Sequence, residues 1–138
     1  MKRPEEVKLE FTRDWVRKAE GDFKAAELLI QSGEGFQFQT AFHAQQAAEK
    51  YLKAYLVWHQ IEFPKTHDIG KLTTLAADVD VDLPAAVGEA EALTPFGVDL
   101  RYPGDYADVT PEDARNALAL AKRVRDKIRN RLPDGALE

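Results

Sequence analysis

Arg101, in the stretch Asp99-Leu100-Arg101-Tyr102-Pro103-Gly104-Asp105-Tyr106, carries a planar guanidinium suited to grip phosphate or carboxylate with paired N–H donors. Tyr102 and Tyr106 beside it can stack on a base or pack across an interface. His67, in Lys65-Thr66-His67-Asp68-Ile69, has an imidazole whose ordinary pKa permits proton transfer near neutrality. Arg101, His67 and Tyr106 are the candidate catalytic residues, and Lys50, Arg101, Tyr102 and Tyr106 the candidate contacts to a nucleotide or partner. Each group also has a structural reading. Arg101 can pair with Asp22, Glu49 or Asp105, the tyrosines can cover one end of the fold, and His67 can simply open a helix.

A second set of polar side chains falls where apolar ones are expected. Successive helix residues differ by about 100°, which sets Asp22 between Trp15, Ala26 and Leu29, and sets Gln45 and Glu49 beside Phe38, Leu52 and Leu56. An unpaired buried carboxylate costs several kcal/mol, so these groups need donors, a wet cleft or a subunit interface. Arg125 and Arg101 are the cationic partners in reach of the pattern. The arrangement reads as a satisfied network between helices or as a functional cleft. Gln39, His43, Gln46, Lys50 and Lys53 lie on the other face of the same helix, which reads as a solvated face, with a surface for phosphate or a partner as the alternative.

The rest of the sequence removes several chemistries. There is no cysteine, hence no disulfide, thiolate metal site or cysteine nucleophile. His43, His59 and His67 form no metal-ligand pair at helical spacing, and neither a GxGxxG nor a P-loop motif occurs. No metal and no cofactor are expected. The single serine, Ser32, sits in a turn, which argues against serine-hydrolase chemistry. With 24 acidic against 19 basic residues, the net charge of -5 gives no general attraction to nucleic acid or an anionic membrane, although a local basic patch stays possible. No apolar run reaches transmembrane or signal-peptide length, so a cytoplasmic protein is expected.

The elements that must position these groups are helices. Apolar spacing predicts one over 11–31 and a second over 38–59, stopped before Pro64. A third is capped by Thr66 or Asp68 and turns Ile69, Leu72, Leu75 and Ala76 inward. A weaker helix follows Pro84. The clearest start is Thr110-Pro111-Glu112-Asp113, a cap, an N1 proline and first-turn acids, followed by the stripe Ala114, Ala117, Leu118, Ala121, Val124, Ile128 and Leu132. No segment alternates like a strand. The expected fold is all-α, an antiparallel up-and-down bundle of four to five helices in one domain over 11–132, with flexible ends at 1–10 and 133–138.

The run Phe42-His43-Ala44-Gln45-Gln46-Ala47-Ala48-Glu49-Lys50-Tyr51-Leu52-Lys53-Ala54, then Lys65-Thr66-His67-Asp68-Ile69, then Arg101-Tyr102-Pro103, closely resembles the HEPN domain of prokaryotic proteins in order and spacing. An opening helix with Trp15, Ala19, Asp22 and Ala26 extends the resemblance to nearly the whole chain. It implies a helical bundle, commonly a homodimer, often paired with a minimal nucleotidyltransferase in a toxin–antitoxin-like system. Many HEPN proteins are metal-independent ribonucleases whose motif is an arginine followed four to six residues later by histidine. No arginine here has that histidine, and with Arg101 at the motif position the place is taken by Tyr106. A phenol, with a pKa near 10, is a poor proton shuttle at neutral pH. The resemblance therefore implies the nucleotide- or nucleotidyltransferase-binding half of a two-component system, with Asp22, Gln45 and Glu49 as a supporting network. The alternative is a metal-independent RNA endonuclease using Arg101 and His67. Modification of Tyr106 by the partner is also conceivable on the same resemblance.

Overall fold

The structure, a computed structural model, describes residues 2–33, 35–97 and 109–138. Among these there are five α-helices and no strand: α1 Pro4–Gln31, α2 Gln37–Trp58, α3 Ile69–Ala76, α4 Leu83–Val87 and α5 Pro111–Arg129, with 3-10 segments at Gly88–Gly97 and Asp134–Ala136. The all-α expectation holds. Arg101, Tyr102 and Tyr106 lie outside the described residues.

α1 starts at Pro4, earlier than the apolar spacing implied. Pro4 stands in its first turn with Glu5 and Glu6, the residue types that suit a helix N-terminus. Residues 4–10 are part of α1, and the segment after α5 packs back on it. Lys8 places its ammonium 4.1 Å from the Trp58 ring centre, the Arg13 Nε donates to the Gly135 carbonyl at 2.9 Å, and Ala136 is fully buried. The buried stripe of α1 is Val16, Ala19, Phe23 and Ala26, centred one position from the expected one so that Trp15 lies at its edge.

α2 is the axis of the molecule. α1, α5, α3 and the 88–97 segment all pack on it, and thirteen of its residues are buried, among them five alanines that let neighbouring backbones come close. Side chains that meet across α1 and α2 run in opposite numerical order: Asp22 reaches His43, Trp15 lies by Lys53 and Lys8 lies by Trp58. α1 is therefore antiparallel to α2. Across α2 and α5 the numbers rise together, from Thr40 beside Ala114 to Tyr51 beside Arg129, so those two helices run the same way and start at the same end of the bundle.

Local chemistry sets the helix ends around the site. α2 stops six residues before Pro64. Gln60 takes a left-handed backbone (φ 57°), its N–H donates to the Val57 carbonyl, and the Ile61 N–H donates to the Leu56 carbonyl at 2.9 Å. These two bonds make a Schellman stop, a role glycine usually fills. The chain then doubles back along α2 and enters α3, where the Asp68 carboxylate accepts the Lys71 N–H. At α5 the capping box is complete: Thr110 Oγ1 accepts the Asp113 N–H and Asp113 accepts the Thr110 N–H, both at 3.0 Å.

Candidate functional site

Because α2 is packed on several sides, three of its long polar residues, Gln45, Glu49 and Lys53, are buried. Glu49 is 3 % exposed and fully engaged: Oε1 accepts from the His67 Nδ1 at 2.8 Å and from the Gln45 Nε2 at 3.1 Å, and Oε2 accepts from the Lys53 Nζ at 2.9 Å. Gln45, completely buried, also donates to the His67 carbonyl at 3.2 Å and accepts from Gln46 at 2.7 Å. Gln45 thus ties α2 to the returning loop and sets the height of His67 above Glu49. Gly97 presses on the other side, where a Cβ would come 2.3 Å from the Gln45 Cδ. Only a residue without a side chain fits there.

The Lys53 ammonium is not on a solvated face as the pattern suggested. It lies 5.6 Å from the Trp15 ring centre and 5.8 Å from that of Phe63, and those two rings meet edge to face at 6.3 Å. Burial of the charge is offset by Glu49 and by the aromatic faces, since a desolvated cation is attracted to a ring quadrupole. The i, i+4 spacing of Glu49 and Lys53 was a visible signal for the pair; its burial was not.

His67 is the member of this cluster that meets solvent, its side chain being 49 % exposed. A carboxylate only accepts, so the Nδ1 carries the proton that Glu49 takes, and in the neutral ring the Nε2 is left as an acceptor. Among the described residues nothing bonds that Nε2. The arrangement can take up a proton, or donate one from the imidazolium, at a fixed position.

Asp22 belongs to a separate cluster. Its Oδ1 accepts from the His43 Nδ1 at 2.8 Å and its Oδ2 from the Lys50 Nζ at 2.5 Å, linking α1 to α2. Lys50 is thus held by a carboxylate while its side chain stays 23 % exposed. His43 and Lys50 are partly buried against α1, while Gln39 on the same face is exposed to solvent. Asp22 and Glu49 share no partner among the described residues, and Arg101, the residue expected to join them, lies outside those residues.

The HEPN domain profile matches residues 12–131 of the chain. The chain belongs to the HEPN family. A crystal structure of an archaeal HEPN homologue superposes with a TM-score of 0.70 at 26 % identity, covering 95 % of this chain and 98 % of that one. Among curated proteins none matches.

In this HEPN chain Arg125 pairs with neither Asp22 nor Glu49. It grips Glu20 with two bonds, Nε to Oε1 at 2.6 Å and Nη2 to Oε2 at 2.8 Å, while its guanidinium lies 5.1 Å from the Phe23 ring centre. Tyr51 donates to Glu20 at 2.7 Å and accepts from Arg129 at 3.3 Å. The Arg125 bond holds the Glu20 carboxyl down to about 2, whereas burial and the Glu20 bond push the Tyr51 phenol up to about 12. Asp80 accepts from Tyr55 at 2.9 Å and from Arg131 at 2.7 Å. Burial opposes its ionisation, yet these partners leave the carboxyl below its ordinary value. Both clusters bolt α5 and the segment after it to the rest of the bundle, and neither offers an exposed reactive group. Glu20 and Asp80 escaped the sequence reading because only the fold brings their arginines to them. Among the described residues no cluster of three metal-ligating side chains exists and no helix is long and apolar enough to cross a membrane.

Proposed function

We propose that this HEPN protein is the nucleotide- or nucleotidyltransferase-binding component of a two-component, toxin–antitoxin-like system, acting in the cytoplasm as a homodimer. The supporting observation is the half-exposed His67 imidazole, fixed through its Nδ1 by the buried Glu49 and presenting its Nε2 outward. Such a ring binds phosphate or a partner's polar group at low ordering cost, since its rotamer is already set. Arg101 supplies the guanidinium, and Tyr102 and Tyr106 supply faces for a base or a partner. In the chain they follow Gly97, which rests on the same Gln45 that carries His67. Lys50, oriented by Asp22 and partly exposed, is a further phosphate contact in this reading, with His67 and Arg101.

A carboxylate-backed imidazole is also the arrangement of a general base, and this favours one second reading: metal-independent RNA cleavage, with His67 moving the proton and Arg101 stabilising charge on the phosphorus oxygens. The deciding experiment incubates the purified protein with total RNA in EDTA beside Arg101→Ala and His67→Ala variants, and in parallel titrates adenosine mono- and triphosphate. The expected result is saturable nucleotide binding, weakened in both variants, with RNA intact. RNA cleavage abolished by both substitutions would establish the endonuclease instead.

A further inference from the structure

At the end of the bundle away from the chain termini, a cavity of about 220 Å³ is lined by Ile30, Gly33, Phe36, Gln37, Thr40, Pro111, Ala114 and Arg115. It is far larger than the roughly 15 Å³ that a single water requires. Because α2 and α5 run parallel, both of their N-termini open here, α2 through Gln37 and α5 through Pro111. Each is a long helix whose first turn carries roughly half a positive charge, which Glu112, Asp113 and the capping box offset at α5. α2 has no acidic residue in its first turn and no side-chain cap to offset that charge. Arg115 is exposed, and no carboxylate of the described residues pairs with it.

Thr40 is an independent sign that the cavity is a place for a ligand. Its side chain is 1 % exposed, and its Oγ1 is the buried side-chain polar atom that has no hydrogen-bond partner among the described residues. Thr12 and Thr73, the other buried threonines of α1 and α3, each bond the carbonyl four residues back. Thr40 makes no such bond: the Phe36 carbonyl takes the Thr40 N–H and not its hydroxyl. A buried hydroxyl left unpaired costs about 1–3 kcal/mol, so a group that satisfies it gains affinity.

We propose that this cavity is a binding site for a small organic oxyanion, a phosphate monoester or carboxylate. Its charged end faces Arg115 and the start of α2, its apolar body lies against Ile30, Phe36 and Pro111, and one of its polar atoms meets the Thr40 hydroxyl. Glu112 and Asp113 do not line the cavity, and the Asp113 carboxylate is occupied by the Thr110 N–H. The site shares no residue with the Glu49–His67 cluster and stands whether or not that cluster binds nucleotide.

The test follows amide NMR signals of Gln37, Thr40 and Ala114 while phenyl phosphate or benzoate is added at constant ionic strength set with chloride, with benzyl alcohol as the uncharged control. Saturable shifts with at least one anion are expected, weakened at least tenfold by Arg115→Ala and weakened by the isosteric Thr40→Val. Comparing the two anions identifies the headgroup. Shifts that fail to saturate with both anions, that benzyl alcohol reproduces, or that survive both substitutions unaltered would overturn the proposal.

Discussion

Replacing Glu20 by glutamine keeps the shape of the side chain and removes its charge from the grip of Arg125. In the folded protein the carboxyl is held at about 2 against an ordinary value of 4.5. At about 1.4 kcal/mol per unit, the ionised form contributes about 3 kcal/mol to stability at neutral pH. A folded-state value below the unfolded one means that this contribution is present above about pH 4.5 and is lost as the pH falls toward 2. At pH 3 the unfolded chain has already taken up the proton while the folded chain has not, and about 2 kcal/mol is gone. Urea unfolding of wild type and Glu20→Gln, followed by helical circular dichroism at pH 7 and pH 3, isolates this term, because the other carboxylates cancel in the difference. The variant is expected to be the less stable protein at pH 7, by about 3 kcal/mol, with the gap shrinking by about 2 kcal/mol at pH 3. A gap of the same size at both values would refute the assignment of the depressed carboxyl to Glu20.

Two further substitutions probe the interior of α2. Lys53→Met removes the cation that neutralises Glu49 and should cost about 3 kcal/mol by denaturant unfolding, while adding Glu49→Leu should recover part of that loss, since a buried charge stranded alone is worse than none. Gly97→Ala forces a methyl group into the space of the Gln45 amide and should destabilise the fold by about 1–3 kcal/mol, with a shifted His67 imidazole NMR signal as the mark of a displaced Gln45.

What could be read in advance was whatever neighbouring residues decide among themselves. The Thr110–Asp113 box, the Asp68 cap and the buried stripe of α5 from Ala114 to Ile128 all appeared where local spacing put them. The end of α2 was placed to within a residue but credited to Pro64; its cause was illegible, because a non-glycine residue, Gln60, takes the left-handed conformation, and the packing of Ile61 against the core accompanies it. The site was half legible. Glu49 and His67 stood out as polar residues in suggestive places, and the structure joins them. Asp22 was grouped with Glu49 because both break apolar stripes, but it sits on a different helix pair, and its partners His43 and Lys50 looked like solvent-facing residues. Whether a helix has a wet face depends on how many neighbours it has, and a helix covered by α1, α3, α5 and the 88–97 segment has little of one. Lys53 is the clearest case: its spacing from Glu49 was plain, and its enclosure by Trp15 and Phe63 arises from residues far away in the chain.

The enclosure of α2 also restricts how the gene for such a protein can change length. One residue inserted between Gln45 and Tyr51 would rotate everything downstream by about 100°. Depending on where it fell, that slip would part Lys53 from its rings, Tyr51 from Glu20 and Tyr55 from Asp80 in a single step. Such an insertion cannot be absorbed by a bulge into water, so indels should survive in the connections and be purged from this helix.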